Sequence, residues 1–96
     1  MDQQKTAQAM DKELQQYKVL VELGTALERL QSNRDFKKVI AEGYLEQEAI
    51  RLVQLKGDSN MQSAERQAAI VKAIDGIGSL TEYFNTVRVR AAMAEK

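Results

Sequence analysis

Apolar residues recur at spacings of three and four along most of the chain, a pattern that predicts α-helices. Alternation typical of strands is not sustained anywhere, and residues that favour helices dominate the sequence. We predict three helices at about residues 2–31, 34–56 and 64–92, with a break near Asn33 and a loop over 57–63. The fold class is therefore all-α in a single domain, residues 1–96, arranged as three helices running up, down and up or as a long helical hairpin.

The first predicted helix carries two adjoining apolar seams. The first seam is Met10, Leu14, Tyr17 and Val21, and the second is Leu20, Leu23, Leu27 and Leu30. Together they form a broad stripe that drifts around the helix. We expect one seam to face the chain's own hairpin partner and the other to face a second subunit.

The predicted protein interface combines the second seam with apolar residues of the third helix. Its members are Leu20, Leu23, Leu27, Leu30, Ile70, Ile74, Ile77, Tyr83 and Phe84. The alternative is that these leucines and isoleucines form the intramolecular core. Tyr83 and Phe84 are adjacent, so both cannot point inward along a narrow stripe, and one of them is expected to contact a partner.

Cap and turn residues set the predicted helix ends. Ser32-x-x-Asp35 resembles a capping box for the second helix, and Gly57 is expected to end that helix in the left-handed conformation. Ser63 is the expected N-cap of the third helix.

Three glycines lie inside the second and third predicted helices and weaken them. Gly43 predicts a kink or a close helix crossing in the second helix. Gly76 and Gly78 predict the same in the third helix, where together they cost about 2 kcal/mol relative to alanine.

The 96-residue chain contains no His, Cys, Pro or Trp. It therefore lacks a side chain that ordinarily titrates near neutrality, a thiolate nucleophile and a soft metal ligand. No serine lies in a nucleophile elbow or a Ser-x-x-Lys motif, and no phosphate-binding loop is present. We predict a protein that is not an enzyme and that has no catalytic residue, no metal site and no cofactor.

The acidic residues of the second predicted helix are the best candidates for metal ligands in this sequence. Glu42 and Glu46 are four residues apart and share a helix face, but the di-iron pattern also requires His. A solvated acidic face is the favoured interpretation, with Glu48 and Arg51 expected to form a surface ion pair.

The 14 basic and 14 acidic residues cancel, which argues against a general affinity for nucleic acid or anionic membranes. The densest basic cluster is Arg34, Lys37 and Lys38, which we retain as a candidate contact for nucleic acid or for an acidic partner. No apolar run exceeds four residues, so no membrane association is predicted. The N-terminus lacks the pattern of a secretory signal, and we expect an intracellular, soluble protein.

Residues 26–87 resemble short helical proteins that tailed bacteriophages encode among their virion-morphogenesis genes. The resemblance is carried by Leu27–Lys37 (LERLQSNRDFK), Gly43-Tyr44-Leu45, Glu48-Ala49, Arg51-Leu52-Val53, Ile74-Asp75, Ile77-Gly78-Ser79-Leu80 and Tyr83-Phe84. It implies a role in building or packaging the particle and a location in the host cytoplasm or the virion. It brings no catalytic motif.

The leading hypothesis is a non-enzymatic phage structural or assembly protein that forms homo-oligomers through apolar helix faces. One alternative is a small phage protein that binds a host protein and inhibits or redirects it. Another is an oligomeric accessory protein of DNA packaging that uses the basic cluster.

Overall fold

The computed structural model describes residues 2–95, with side chains from residue 6 to residue 95. Nearly all of this part of the chain is helical and none of it is a strand, which confirms the all-α class. In chain order the elements are α1 (Asp2–Ser32), α2 (Arg34–Phe36), a π-helix (Lys37–Glu48), α3 (Ala49–Lys56), a 3₁₀ turn (Ser59–Met61) and α4 (Ala64–Glu95).

The chain divides into two compact units. One, here called the terminal unit, comprises the described parts of Met1–Arg29 and Phe84–Lys96. The other, the central unit, is Leu30–Tyr83. In each unit an earlier helical segment packs against part of α4, which is the pairing expected of a helical hairpin.

The terminal unit is held by a close contact between α1 and α4. Gly24 is buried in α1, and a Cβ atom added there would overlap the Cβ of Ala91 in α4. Leu27, Phe84 and Val87 are buried beside this contact. Because glycine has no side chain, the two helices approach more closely here than any larger residue would allow.

The core of the central unit forms between α3 and the first half of α4. Leu52, Ile70 and Ile77 are its buried residues. The hydrophobic side chains packed around them are Tyr44, Leu45, Ala49, Leu55, Met61 and Ile74. The second and third predicted helices therefore pack against each other through their apolar faces.

Asn33, rather than Ser32, caps the second helical segment. Ser32 is the last residue of α1, and Asn33 has an extended backbone, with φ −70° and ψ 130°. Its side-chain oxygen accepts a hydrogen bond of 3.0 Å from the Phe36 amide. The predicted capping box was therefore displaced by one residue, because an amide side chain is at least as good a cap as a hydroxyl.

Gly57 ends α3 without the predicted left-handed conformation, since its φ is −86° and its ψ is −4°. The carbonyls at the end of the helix are satisfied in another way. The Gln67 Nε2 group of α4 donates to the Lys56 carbonyl at 2.9 Å and to the Met61 carbonyl at 2.8 Å. Gln62 Nε2 donates to the same Lys56 carbonyl at 3.0 Å and to that of Asp58 at 2.7 Å.

Ser63 is the N-cap of α4, as predicted. Its Oγ accepts a hydrogen bond of 3.2 Å from the Arg66 amide. Side chains from the first turn of α4 also reach back to the loop, where the Arg66 guanidinium donates to the Asn60 carbonyl at 2.6 Å. The loop is thus tied to the helix that follows it.

The glycines inside the second and third predicted helices differ in their surroundings. Gly43 lies within the π-helix, where an added Cβ would come within 3.2 Å of the Lys38 carbonyl oxygen. The π-helix here is longer than the single-turn bulge usual for π-helices. Helix α4 continues through Gly76 and Gly78. A Cβ at Gly76 would make an ordinary contact with the Tyr44 hydroxyl, and one at Gly78 would meet open space.

Candidate interaction surfaces

The structure separates the predicted interface residues by burial. Leu27, Ile70, Ile77 and Phe84 are buried within their own units. Leu20, Ile74 and the first-seam residue Val21 are half-buried. The members that stay exposed are Leu23, Leu30 and Tyr83. Four of the nine residues of the predicted surface therefore lie in the intramolecular core, which was the alternative.

Tyr83 and Phe84 are adjacent, and only one of the two side chains is buried. Phe84 is buried in the terminal unit at 9% exposure, whereas Tyr83 is 54% exposed. Successive residues on a helix point about 100° apart, so only one of the two rings can enter the core. Tyr83 is therefore the member of the pair that is accessible to a partner.

The first seam of α1 remains accessible over most of its length. Met10 is 58% exposed, Leu14 is 63% exposed and Tyr17 is 43% exposed, while Val21 is half-buried. We call these four residues the α1 stripe. Their spacings of four, three and four are those of the a and d positions of a coiled coil. A helix face of this kind usually packs against another helix.

Tyr17 is fixed on the α1 stripe by a contact within its own helix. Its hydroxyl donates a hydrogen bond of 3.0 Å to Oε1 of Glu13, one turn earlier. This hydrogen bond and the negative charge of Glu13 raise the pKa of Tyr17 above its usual value. The ring is therefore held along the helix and remains protonated at neutral pH.

Two depressions of the terminal unit lie between α1 and the last turns of α4. One is lined by Tyr17, Leu20, Arg90, Met93 and Ala94. The other is lined by Lys12, Gln15, Gln16, Val19, Leu20 and Arg90. Leu20 and Arg90 line both. The exposed side chains of Val19 and Met93 extend the apolar surface around them.

The predicted basic cluster is brought together by the fold. Arg34, Lys37 and Lys38 line one surface depression of the central unit, with Ser32 and Glu42. All three cations are exposed. The arrangement concentrates positive charge at one place, and the Glu42 carboxylate at its edge reduces that charge.

Of the acidic residues in the second helical segment, Glu48 forms an ion pair with Arg51. Glu48 accepts hydrogen bonds of 3.0 and 3.1 Å from Arg51 Nε, as its two carboxylate oxygens face the guanidinium. This hydrogen bonding lowers the pKa of Glu48 and raises that of Arg51. Among residues whose side chains are described, no group of three or more His, Cys, Asp or Glu residues is placed to hold a metal ion.

Two features of the terminal unit were not predicted from the sequence. Gly24 was not recognised as a contact residue, although it lies between Leu23 and Leu27 in the middle of a helix, where glycine is unfavourable. The high exposure of Met10 and Leu14 in the first seam was not predicted either.

No helix in the described part of the chain combines the length and hydropathy needed to cross a membrane. No family model, no curated protein and no solved structure matches this chain.

Proposed function

We propose that the chain is a non-enzymatic bacteriophage protein that self-associates through apolar helix faces and takes part in virion morphogenesis. The observation that carries the proposal is the amount of apolar helix surface left uncovered. Among the residues with described side chains, 13 large hydrophobic side chains are 41–69% exposed, whereas seven hydrophobic residues are buried. Exposed apolar surface that forms continuous faces marks sites of protein association.

The energetic gain from covering this surface is sufficient for association, although it is modest for a single stripe. Burying the exposed part of a side chain such as Leu14 contributes on the order of 1–2 kcal/mol. The Met10 and Leu14 side chains of two copies, four side chains in all, therefore contribute roughly 4–8 kcal/mol, against an association cost of about 4–15 kcal/mol. We expect weak dimers from one stripe and tighter assemblies when further faces are covered.

Sedimentation velocity over a range of concentrations tests self-association. We expect the weight-average sedimentation coefficient to rise between micromolar and hundreds of micromolar protein. Leu14→Asp should return the protein to a monomer, because a charge at this position would be desolvated in the interface. The matched control is Gln15→Asp, which places the same charge on another face of α1. A wild-type protein that remains a monomer at the highest concentration would contradict the proposal.

The role in morphogenesis is supported by the resemblance of residues 26–87 to phage proteins. Mass spectrometry of purified particles tests it, because a virion component should be present in a fixed ratio to the major capsid protein. An assembly factor that leaves the particle should instead be found in purified assembly intermediates. If the chain is absent from both and one host protein is retained stoichiometrically by the purified chain, the host-binding alternative is favoured.

A second candidate function is contact with nucleic acid by an oligomer. The observation that favours it is the grouping of Arg34, Lys37 and Lys38 around one depression. Each copy alone has a net charge of zero, so useful affinity requires several clusters in one assembly. The cluster lies in the central unit, at residues outside the α1 stripe.

Electrophoretic mobility shifts at low salt test this second function. The double variant Lys37→Gln/Lys38→Gln should weaken DNA binding and reduce its salt dependence, since two phosphate contacts are lost. The control is Lys56→Gln/Lys72→Gln, which removes the same charge elsewhere. An equal loss in both variants would indicate a general charge effect, and no shift by the wild-type protein would exclude the function.

A further inference from the structure

We infer that a groove beside the contact between α1 and α4 binds an amphipathic helix of another protein, one that carries carboxylates on both flanks of its apolar stripe. The apolar residues of this α1–α4 groove are Val19, Leu20 and Leu23, and its cations are Lys12 and Arg90. The inference goes beyond the proposed self-association, because the partner is a different chain.

The two helices run in opposite directions in the terminal unit. Gly24 of α1 meets Ala91 of α4, whereas Tyr17 and Leu20 line a depression with Ala94. As the residue numbers fall along α1, those of the neighbouring residues in α4 rise. In such an antiparallel pair a groove runs along each side of the contact, and both helices line it.

The residues of the α1–α4 groove lie on one side of this contact. Successive residues on a helix are about 100° apart, which places Gln16 and Val19 roughly 80° and 140° from Gly24 in the same direction. Arg90 is displaced from Ala91 in that direction by about 100° and lines one depression with Gln16 and Val19. A third helix in the groove therefore contacts both α1 and α4 without separating them.

The apolar part of the groove is accessible. Val19 is 60% exposed and Leu23 is 41% exposed, while Leu20 is half-buried. The depression lined by Val19 and Leu20 has a volume of about 620 Å³ and is open to solvent along its side. An open groove of this kind suits the apolar face of a helix, whereas a small molecule is usually bound in a pocket that surrounds most of its surface.

The charges at the edges of the groove indicate an acidic partner. Lys12 and Arg90 line the same depression, and neither forms an ion pair with a described side chain. Among the described side chains, no Asp or Glu lines this depression or the adjoining one. A second copy placed here by a two-fold axis would bring like charges together, whereas carboxylates on a different chain would pair with both cations.

The positions of the two cations set the length of the partner helix. Lys12 lies 12 residues before Gly24, which is about 18 Å along an α-helix. Arg90 is next to Ala91, which lies level with Gly24. A helix of about 12 residues spans this distance. Its carboxylates belong on opposite flanks, because one cation is on α1 and the other is on α4.

Fluorescence anisotropy with a synthetic helical peptide tests the inference. The probe is a labelled peptide of about 18 residues, with leucines at spacings of three and four and glutamates on both flanks. We expect it to bind the protein roughly 2- to 30-fold more tightly than the same peptide with glutamine in place of glutamate. A peptide of the same composition in scrambled order should bind more weakly still. Equal affinities for the three peptides, or no binding, would overturn the inference.

Charge reversal locates the peptide on the protein. Arg90→Glu and Lys12→Glu should each weaken binding of the glutamate peptide roughly 2- to 30-fold, since attraction is replaced by repulsion. The matched controls are Arg88→Glu and Lys18→Glu, which reverse exposed charges on other faces of the same two helices. A peptide with lysine in place of glutamate should prefer the double variant Lys12→Glu/Arg90→Glu to the wild type. Equal losses in the groove and control variants would exclude the groove.

Val19→Gln tests the apolar contact. It should weaken binding roughly 3- to 20-fold, because the exposed part of the valine is no longer buried against the peptide. Val89→Gln is the matched control, since Val89 is 57% exposed and lies about 160° from Ala91, on the outer face of α4. Circular dichroism verifies that each variant is folded. Equal effects of the two substitutions would contradict an apolar contact in the groove.

The outcomes separate this inference from the proposed function. Specific peptide binding by a protein that is monomeric in sedimentation supports the groove and contradicts self-association. A protein that self-associates but binds the glutamate peptide no better than the scrambled one overturns the inference and leaves the proposed function standing. If Arg90→Glu and Val19→Gln abolish self-association and the peptide does not bind, the groove is occupied by a second copy and the acidic partner is overturned.

Discussion

At the scale of single residues, Gly24 governs how closely α1 and α4 approach in the terminal unit. A Cβ at this position would overlap that of Ala91, so any larger residue must push the helices apart or distort one of them. Overpacking of this kind typically costs about 1–3 kcal/mol. This cost opposes the gain of about 1 kcal/mol that alanine brings to a helix interior.

We therefore predict that Gly24→Ala lowers the free energy of unfolding, measured by urea denaturation with circular dichroism. Adding Ala91→Gly should recover part of the loss, although it introduces a glycine into α4, because it removes the methyl group with which the new side chain would collide. Gly78→Ala is the matched control and should stabilise the protein by about 1 kcal/mol, since its Cβ meets open space. If Gly24→Ala and Gly78→Ala stabilise equally, the close contact does not exist in solution.

The ion pair of Glu48 with Arg51 gives a prediction for pH. Hydrogen bonding from Arg51 lowers the pKa of Glu48 from its ordinary value of 4.5 in the folded protein. The contribution of the pair to stability is therefore present above the ordinary pKa and is lost as the pH falls through the lowered one. NMR titration of the side-chain carboxyl should show the lowered pKa, and Arg51→Gln should return it toward 4.5. An unchanged pKa in that variant would show that the pair does not form in solution.

At the scale of elements, the loop between α3 and α4 is held by the side chains of Gln62, which precedes α4, and Gln67, which lies in its first turns. Gln67 is half-buried and donates to two loop carbonyls, whereas Gln62 is exposed and donates to two as well. These hydrogen bonds replace the left-handed glycine cap that the sequence predicted. The four hydrogen bonds connect each glutamine to carbonyls that lie between four and 11 positions earlier in the chain.

We predict that Gln67→Met destabilises the protein by about 1–2 kcal/mol, since two hydrogen bonds are lost at a partly buried site. Gln62→Met is the comparison and should cost less, because water can replace its amide at an exposed position. Urea denaturation gives the free energies of unfolding. Hydrogen exchange of the amides at 57–61 should accelerate in the Gln67 variant, and equal effects of the two substitutions would contradict the role assigned to burial.

The element boundaries were predicted well because they depend on local signals. The polar residues Ser32 and Asn33, the loop that begins at Gly57 and the cap at Ser63 interrupt the apolar pattern and mark the helix ends. The details of the caps were predicted less well. Asn33 and Ser32 are both good caps, and only the backbone geometry chooses between them. The donation of Gln67 to Lys56 spans 11 positions, which no local pattern encodes.

At the scale of the whole molecule, the apolar surface left exposed is the property on which the proposed function rests. In that proposal, association with other copies covers the exposed faces.

We predict that the midpoint of thermal unfolding rises with protein concentration, because self-association stabilises the folded form by mass action. The midpoint of Leu14→Asp should be independent of concentration, while that of Gln15→Asp should follow the wild type. Scanning calorimetry at several concentrations gives the comparison. A wild-type midpoint that does not change with concentration would contradict self-association in the folded state.

The sequence by itself determined the helical class, the approximate helix ends and the existence of two apolar seams on α1. These follow from residue periodicity and from caps, which act over a few neighbouring positions. Only the tertiary structure decided how much of each seam is buried. Gly24, which contacts Ala91 of α4, is seven residues after Tyr17 and four after Leu20, and so it lies on the continuation of both seams. The contact with α4 covers α1 around Gly24 and Leu27, whereas Met10, Leu14 and Tyr17, toward the other end of the helix, remain exposed.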